Sequence, residues 1–433
     1  MIREKLYRDP VHDLIALDKE SREDATLMAL IDTPEMQRLR RIRQLGLAFM
    51  AFQGAEHSRF AHALGVLHIA TRILTQLGKH QRISSRVAFA TRCAAVLHDI
   101  GHGPYSHVFE TFLGIHHESW TQRIICSPRT GVNRVLRTYH PALPREVAAI
   151  LAGQCRPLFL SQIIASQLDA DRLDYLLRDS IQTGVKYGIY DLDRLIYLLR
   201  VDPAGENIVV ASGGVLPVEK YLQARYHMYE QVYFHKTVRA AEMMFRLLLK
   251  RFADLTRRRV ATAGAPDDPL VRLIRDPAGV SLTDYLDTDD STIQHALTRW
   301  RRGDDPVLAD LSGRLLDRQL FKTLDVSRVK GVTTRLRQAR EIIAGAGLDP
   351  QYYIALDTSS SVPYRPYDPK QPEIRNHILV ETPGQRKPYR DIHDLSPVVQ
   401  GLARATAGRR RVVFPESHGG LDLRAAIERV FLA

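Results

Sequence analysis

The sequence has little cysteine. Three residues, Cys93, Cys126 and Cys155, occur in 433, and none forms a CxxC pair. That argues against a disulfide framework or a thiolate zinc site and favours a reducing compartment. Long apolar runs are also missing: no stretch approaches the roughly 18 residues needed to cross a bilayer. The opening MIREKLYRDPVHDLIALDKES has no uninterrupted apolar segment of the kind a secretory signal carries. A cytoplasmic protein with no membrane partner is therefore expected. GxxxxGK[ST] is absent, which excludes P-loop phosphate chemistry. Acidic side chains are in deficit, with 49 Asp and Glu against 61 Lys and Arg, a net charge of +12. Such an excess suits a nucleotide, a nucleic acid or a membrane surface, and equally a set of solvated basic faces.

What is present reads as a mainly α chain. Thr33-Pro34 is an N-cap followed by proline in the first turn, and the helix it opens should run to Leu45 before Gly46. A second helix is expected over His57–Leu77, stopped by Gly78. SSRVAFATRCAAVLHD is apolar nearly all round and should lie at the centre of the core. Further helices are expected over Leu160–Arg178, Asp191–Arg200 and Val218–Phe252. NIVVASGGVLPV looks like a short hairpin turning at Gly213-Gly214. TAGAPDDP, Thr262 to Pro269, reads as a linker. Beyond it come YYIALDT, RNHILVET and RRRVVFPE, β-rich runs separated by turns such as the proline-rich SSVPYRPYDPKQP. The expected division is a core over 1–255, a helical extension over 256–329 and a small α/β region over 330–433.

The stretch that carries chemistry is VLHDIGHGPYSH, Val96 to His107. Glycines 101 and 103 break a buried helix just after His98 and Asp99, where both side chains can turn toward one ion. An imidazole and a carboxylate suit divalent transition metals, and magnesium or manganese as well. Two further donors are needed. His62 sits on one stripe of the second helix with Arg59, Val66, Ile69 and Ile73. Asp171 stands with Tyr175 and Asp179 at i, i+4, i+8 in SQLDADRLDYLLRDS. A carboxylate on an apolar face is costly to bury unless paired or bound to a metal. On spacing alone, His62 reads equally well as a hydrogen-bonded core histidine.

HSRFAHALGV, VLHDIGHGPYSHVFE, HHES and LDADRLDYLLRD occur in an order that resembles the HD-domain phosphohydrolases. Within that superfamily they are similar to the deoxynucleoside-triphosphate triphosphohydrolase branch, over about Glu4 to Phe252. The resemblance implies an HD-domain helical core and a divalent ion (Mg, Mn, Fe or Zn) on His62, His98, Asp99 and Asp171, with His57 outside the set. It places Arg59, His102, His107, Arg172 and Arg225 around a triphosphate, where an arginine fork donates two hydrogen bonds. It places Gln44, Tyr175 and Asp179 at the sugar, Leu45 near base and sugar, and Tyr233 with Arg225, Tyr229 and Lys236 on one helical face. Core packing is the competing reading of the two tyrosines. His117 and Glu118 match a catalytic pair, His117 as general acid and Glu118 as the residue that holds it. Tyr229 and Phe234 depart from the family's histidine and glutamine, which bears on base preference.

The implied reaction is attack of an ion-activated water on the α-phosphorus of a dNTP, releasing nucleoside and inorganic triphosphate. Lys5, Asp32, Gln37 and Arg40 match a nucleotide activator site of that branch, in which the activator drives tetramer formation. A homo-oligomer is thus implied, although IDTPEMQRLRRIRQLG is also a good capped helix with a solvated face. Two alternatives compete: an HD enzyme for a monophosphate, cyclic nucleotide or alarmone, and a nucleic-acid-binding or defence protein with a secondary HD site. For the second, the basic clusters are RRRV at Arg257–Val260 and GRRRVVFPE around Arg409.

Overall fold

The computed structural model of the chain describes residues 3–260, 267–361, 377–404 and 407–432. Most of the TAGAPDDP linker and of the proline-rich turn lies outside them. The protein is mainly helical, with small sheets at the periphery. No helix among the described residues is long and apolar enough to cross a membrane.

Two large hydrophobic cores are built, with a small third cluster of Ala48, Ala55 and Val238. The first lies between the helices Arg59–Gly78 and Ser85–Leu97 and their neighbours, with Leu67, Ile69, Cys93, Val96 and Leu97 fully inside. As its composition predicts, Ser85–Leu97 is buried along most of its length. Ser58 caps the Arg59 helix by accepting from the Ala61 N–H. The second core surrounds Lys236–Arg257, where Phe245, Leu248 and Phe252 meet Trp300, Leu311, Val412 and Phe414. The expected α/β region contributes to both cores. Lys322–Asp325 and Ala355–Ser361 flank Ala407–Phe414 in a three-stranded antiparallel sheet. Leu379–Glu381 and Tyr389–Asp391 instead extend a hairpin of the helical core, with Val380 parallel to Val210.

Several boundaries differ from expectation, and each difference shapes the site. The helix after Thr33 is only Pro34–Arg38 plus a 3-10 turn, Leu39–Arg41. Ile42 then turns extended, and the Ile42 and His57 carbonyls accept from the Arg59 and Gln44 N–H groups at 2.9 Å, which brings Gln44 beside the start of the Arg59 helix. The Leu160–Arg178 segment divides into Phe159–Ile164 and Ala170–Thr183, because Asp169 caps a new helix at the Arg172 N–H, 2.7 Å away. Val218–Phe252 divides at a π-turn, Tyr229–Tyr233, where the Phe234 N–H reaches back to the Tyr229 carbonyl at 2.9 Å. The hairpin does not turn at Gly213-Gly214. It pairs Leu199–Val201 with Ile208–Val210, and the glycines form a 3-10 turn leading into Val215–Met228.

Candidate metal centre and phosphate pocket

His62 comes from the first turn of the Arg59 helix, His98 and Asp99 from the end of Ser85–Leu97, and Asp171 from the first turn of Ala170–Thr183. Their donor atoms converge. His62 Nε2 lies 3.1 Å from Asp171 Oδ1 and 3.8 Å from Asp99 Oδ2. His98 Nε2 lies 3.4 Å from Asp99 Oδ1 and 3.8 Å from Asp171 Oδ1. Two donors on one tetrahedral ion with bonds near 2.05 Å stand about 3.3 Å apart. His62, His98 and Asp171 thus form one group of donors that could hold a divalent cation, while Asp99, alongside, groups with His102 and His117. The tautomers agree. His98 Nδ1 donates to the Ala95 carbonyl at 2.8 Å, so Nε2 keeps its lone pair, and that buried atom has no partner among the described residues.

His62 is set by a group the sequence reading missed. Its Nδ1 meets Asp174 Oδ2 at 2.7 Å. Asp174, fully buried, also takes both Arg178 Nε and Nη2, at 2.8 and 2.9 Å, and His12 Nε2 at 2.7 Å. Arg178 reaches on to Asp9, so the N-terminal hairpin Glu4–Asp18 is tied to the metal centre. Gly65 makes this possible, since a Cβ there would stand 1.8 Å from Asp174 Oδ1 and 2.5 Å from Arg178 Nη2. Gly65→Ala is accordingly expected to lose about 1–3 kcal/mol of stability and to weaken cation binding in parallel. Denaturant unfolding and a metal titration of one preparation check both effects.

Burial lowers the His62 imidazole, but Asp171 and Asp174 more than offset it and push it up to about 10. Without an ion His62 therefore keeps its Nε2 proton at neutral pH, and a cation must displace it. Affinity is expected to rise with pH between about 7 and 9, with about one proton released per ion. Calorimetry in buffers of unequal ionisation enthalpy measures that proton, and a buffer-independent heat would contradict the assignment.

The glycine-broken loop after Asp99 is held from a distance. Gly101 lets the helix His117–Cys126 come close, as a Cβ would stand 2.2 Å from the His117 carbonyl. Tyr105 and Ser106 both take positive φ, 48° and 49°, a conformation that costs each about 1–3 kcal/mol. The Tyr105 N–H donates to Asp290 Oδ1 at 2.9 Å, and the Tyr285 hydroxyl donates to the Gly101 carbonyl at 2.5 Å. Buried Arg38 bridges the His102 carbonyl and the Thr288 carbonyl, each at 2.7 Å. Ser106 in turn accepts from Arg59 Nε at 2.8 Å, and Arg59 Nη1 meets Asp99.

Two imidazoles stack beyond Asp99: the rings of His102 and His117 are 3.8 Å apart. Their environments pull them in opposite directions. Burial and the charge of Arg59 hold His102 well below its ordinary value, although Asp99, 3.3 Å away, opposes this. Burial lowers His117 too, but the hydrogen bond it donates to Glu110 outweighs it and the net shift is upward. Of the two rings, His117 is therefore the more readily protonated and His102 the one held neutral. Glu110 Oε1 lies 3.0 Å from His117 Nδ1 and takes its backbone N–H at 2.9 Å. The expected partner Glu118 is exposed at the start of the same helix, and Glu110, one turn of the preceding helix from His107, takes its place. An adjacent carboxylate on a helix points away from its neighbour, whereas one from a facing helix can reach the ring. His107 is 74% exposed and lies 3.2 Å from Glu110 Oε2.

Arg172 pairs with Asp169, and Arg225 Nη1 donates to Gln167 at 2.7 Å. Both keep a buried Nε without a partner among the described residues, as do Gln44 Oε1 and His102 Nδ1. Tyr175 lies with its ring 6.5 Å from His62 and 6.2 Å from Tyr233. Asp179 accepts from the Tyr233 hydroxyl and meets His57 Nε2, each at 2.8 Å. Leu45 packs against Ala48, Ala55 and Val238, and Tyr229 stacks edgewise on Tyr233 at 5.1 Å. Lys5, Asp32, Gln37 and Arg40 gather near the hairpin. Lys5 lies over the Tyr7 ring, whose hydroxyl feels both Asp32 and Arg40, and Arg40 Nε donates to Gln37 at 2.8 Å. In the basic strand, Arg409 pairs with Glu230 and Arg411 donates to the Phe234 carbonyl, so those two charges are engaged within the fold.

Residues 59–179 match the HD domain family, and residues 190–275 match the HD associated region. The chain is 36% identical to uncharacterized protein YwfO of Bacillus subtilis, over 94% of this chain and 90% of that protein. It is 29% identical to the deoxynucleoside triphosphate triphosphohydrolase SAMHD1 of Gallus gallus, over 55% of this chain and 44% of that one. A phosphohydrolase from Bacteroides thetaiotaomicron superposes with a TM-score of 0.81 at 28% identity, covering 95% and 99% of the two chains. A helical fold of this kind with candidate His-Asp metal-binding groups is that of a hydrolase. The chain belongs to the HD-domain phosphohydrolases.

Proposed function

We propose that the chain hydrolyses deoxynucleoside triphosphates to a deoxynucleoside and inorganic triphosphate. The observation that carries this reading is the set of buried polar atoms without a hydrogen-bond partner among the described residues on Arg172, Arg225, Gln44 and His102, together with a His62, His98 and Asp171 group that could hold a divalent cation. Buried donors and acceptors of this kind are costly unless a ligand completes them. The likeness to SAMHD1, named for that reaction, supports it.

A divalent ion on His62, His98, Asp99 and Asp171 would polarise a phosphoryl oxygen and make water a stronger nucleophile. Arg59, Arg172 and Arg225 would bind the triphosphate and balance charge growing on the phosphoryl oxygens. Water adds to the α-phosphorus, the bond to the 5′ oxygen breaks, and His117 gives that oxygen its proton. His102, neutral, would accept or donate a hydrogen bond to phosphate without competing for that proton. Tyr175, closed in by Tyr233 and Asp179, would exclude a 2′-hydroxyl.

Glu110→Gln tests the acid role. Glu110 raises His117, so its removal lowers the pKa and moves the basic limb of the kcat profile to lower pH. A profile that stays in place would remove Glu110 from this role. For the reaction itself, the purified chain is incubated with dNTPs and NTPs, singly and mixed, with Mg2+ or Mn2+. Chromatographic release of triphosphate is expected; orthophosphate or pyrophosphate alone overturns the reading. The same proposal includes an activator nucleotide at Lys5, Asp32, Gln37 and Arg40, acting in an assembly of identical copies. Activity confined to nucleotide mixtures, with a matching change in sedimentation, is its expected sign.

A further inference from the structure

The region around Glu110 holds a second group of metal donors, outside the centre described above. His107, Glu110 and His117 each offer one ligand atom, and these atoms lie within 4.8 Å of one another. The Glu110 carboxylate is the hub. Its Oε2 lies 3.2 Å from His107 Nδ1, and its Oε1 lies 3.0 Å from His117 Nδ1 and 3.2 Å from His116 Nδ1. Those separations are close to the edge of about 3.3 Å between donors on one tetrahedral zinc ion. Glu110 is fixed in place by the His117 backbone N–H, so the hub needs no rearrangement. The cluster joins the ends of two helices, His107–Leu113 and His117–Cys126, across the turn at Gly114.

We infer that His107, Glu110 and His117, with His116 alongside, form a second site for a borderline transition cation such as zinc, whose occupancy withdraws His117 from the substrate. Two imidazoles and one carboxylate, with the His116 imidazole 3.2 Å from the same Glu110 oxygen, favour zinc, nickel or copper over magnesium, whose preferred ligands are oxygens. The site is open to solvent, because His107 and His116 are 74% and 83% exposed. A cation arriving there displaces the proton shared by His117 Nδ1 and Glu110 and anchors the ring. The inhibitory half of the inference rests on the proposed function; the binding half does not.

The test uses the full chain and zinc itself. Zinc binding is measured by competition with a chromophoric chelator in Asp171→Asn and in Asp171→Asn/His107→Ala. The single variant is expected to hold one zinc per chain, and the double variant to bind at least about tenfold more weakly. Equal binding by the two overturns the site. His107 is exposed, so its loss does not threaten the fold. The second arm follows triphosphate release with Mg2+ as zinc is added. His116→Ala, outside the reaction machinery, is expected to keep the activity of the parent and to need about tenfold more zinc for half-inhibition. An unchanged zinc response places inhibition at the His62 centre and overturns the coupling to His117. Should no nucleotide be hydrolysed at all, the function above fails while the chelator result still decides the site.

Discussion

Asp171→Asn is expected to lower turnover by about 10^3-fold or more, about 4 kcal/mol of transition-state stabilisation, while leaving the unfolding transition in place. The substitution conserves volume and removes only the charge and donor strength of one carboxylate oxygen. Its side chain is one-third exposed, and the buried His62 that it pairs with keeps Asp174 as a partner at 2.7 Å. The loss should fall on kcat and on bound metal together, since His62, His98 and Asp99 leave an incomplete donor set. Steady-state kinetics and metal analysis of the same sample check this. Activity within tenfold of the parent, at equal metal content, would rule out Asp171 as a ligand.

Asp174→Ala should do the opposite, damaging the fold first. Asp174 is buried with Arg178 and His12 and is the acceptor for both, as well as for His62. Burial alone would raise its carboxyl, but Arg178, His12 and His62 hold it well below the usual range. Its removal leaves the Arg178 guanidinium with Asp9 alone and His62 with no acceptor on Nδ1. Breaking a buried pair this way costs about 3–5 kcal/mol, which equilibrium denaturation would measure. Cation affinity should fall about 10- to 100-fold as well, because the His62 ring loses its orientation. Removing the charge on both sides, as Asp174→Ala/Arg178→Met, should recover much of the stability but not the affinity. If the double variant were no more stable than the single, the stranded guanidinium would not be the cause.

The four candidate ligands were legible because each stands in a short run with its own spacing: His62 on a helical stripe, His98-Asp99 before a glycine, Asp171 at i, i+4, i+8. The residues that position those ligands were less so. Asp174 had one available signal, an acidic residue four positions before Arg178 within an apolar helix. Glu110 had a similar one, three positions after His107, but adjacency drew the reading to Glu118. The clasp on the Gly101–Ser106 loop had none. Tyr285, Thr288 and Asp290 lie more than 180 residues from the atoms they hold, and no local periodicity reports such a pairing.

Helix content, the buried character of Ser85–Leu97 and the ligand types follow from local pattern, since backbone preference and hydrophobic period act over a few residues. Three things were decided only when the chain folded. The helices stop where Ile42 turns extended to pair with the Arg59 N–H, where Asp169 caps a fresh helix at the Arg172 N–H, and where the π-turn Tyr229–Tyr233 closes the Phe234 N–H onto the Tyr229 carbonyl. The division of the C-terminal strands between two sheets is a choice of partner, to which alternation is blind. The proton assignments of His62, His102 and His117 depend on which charges surround a buried ring, and those charges come from five separate segments of the chain.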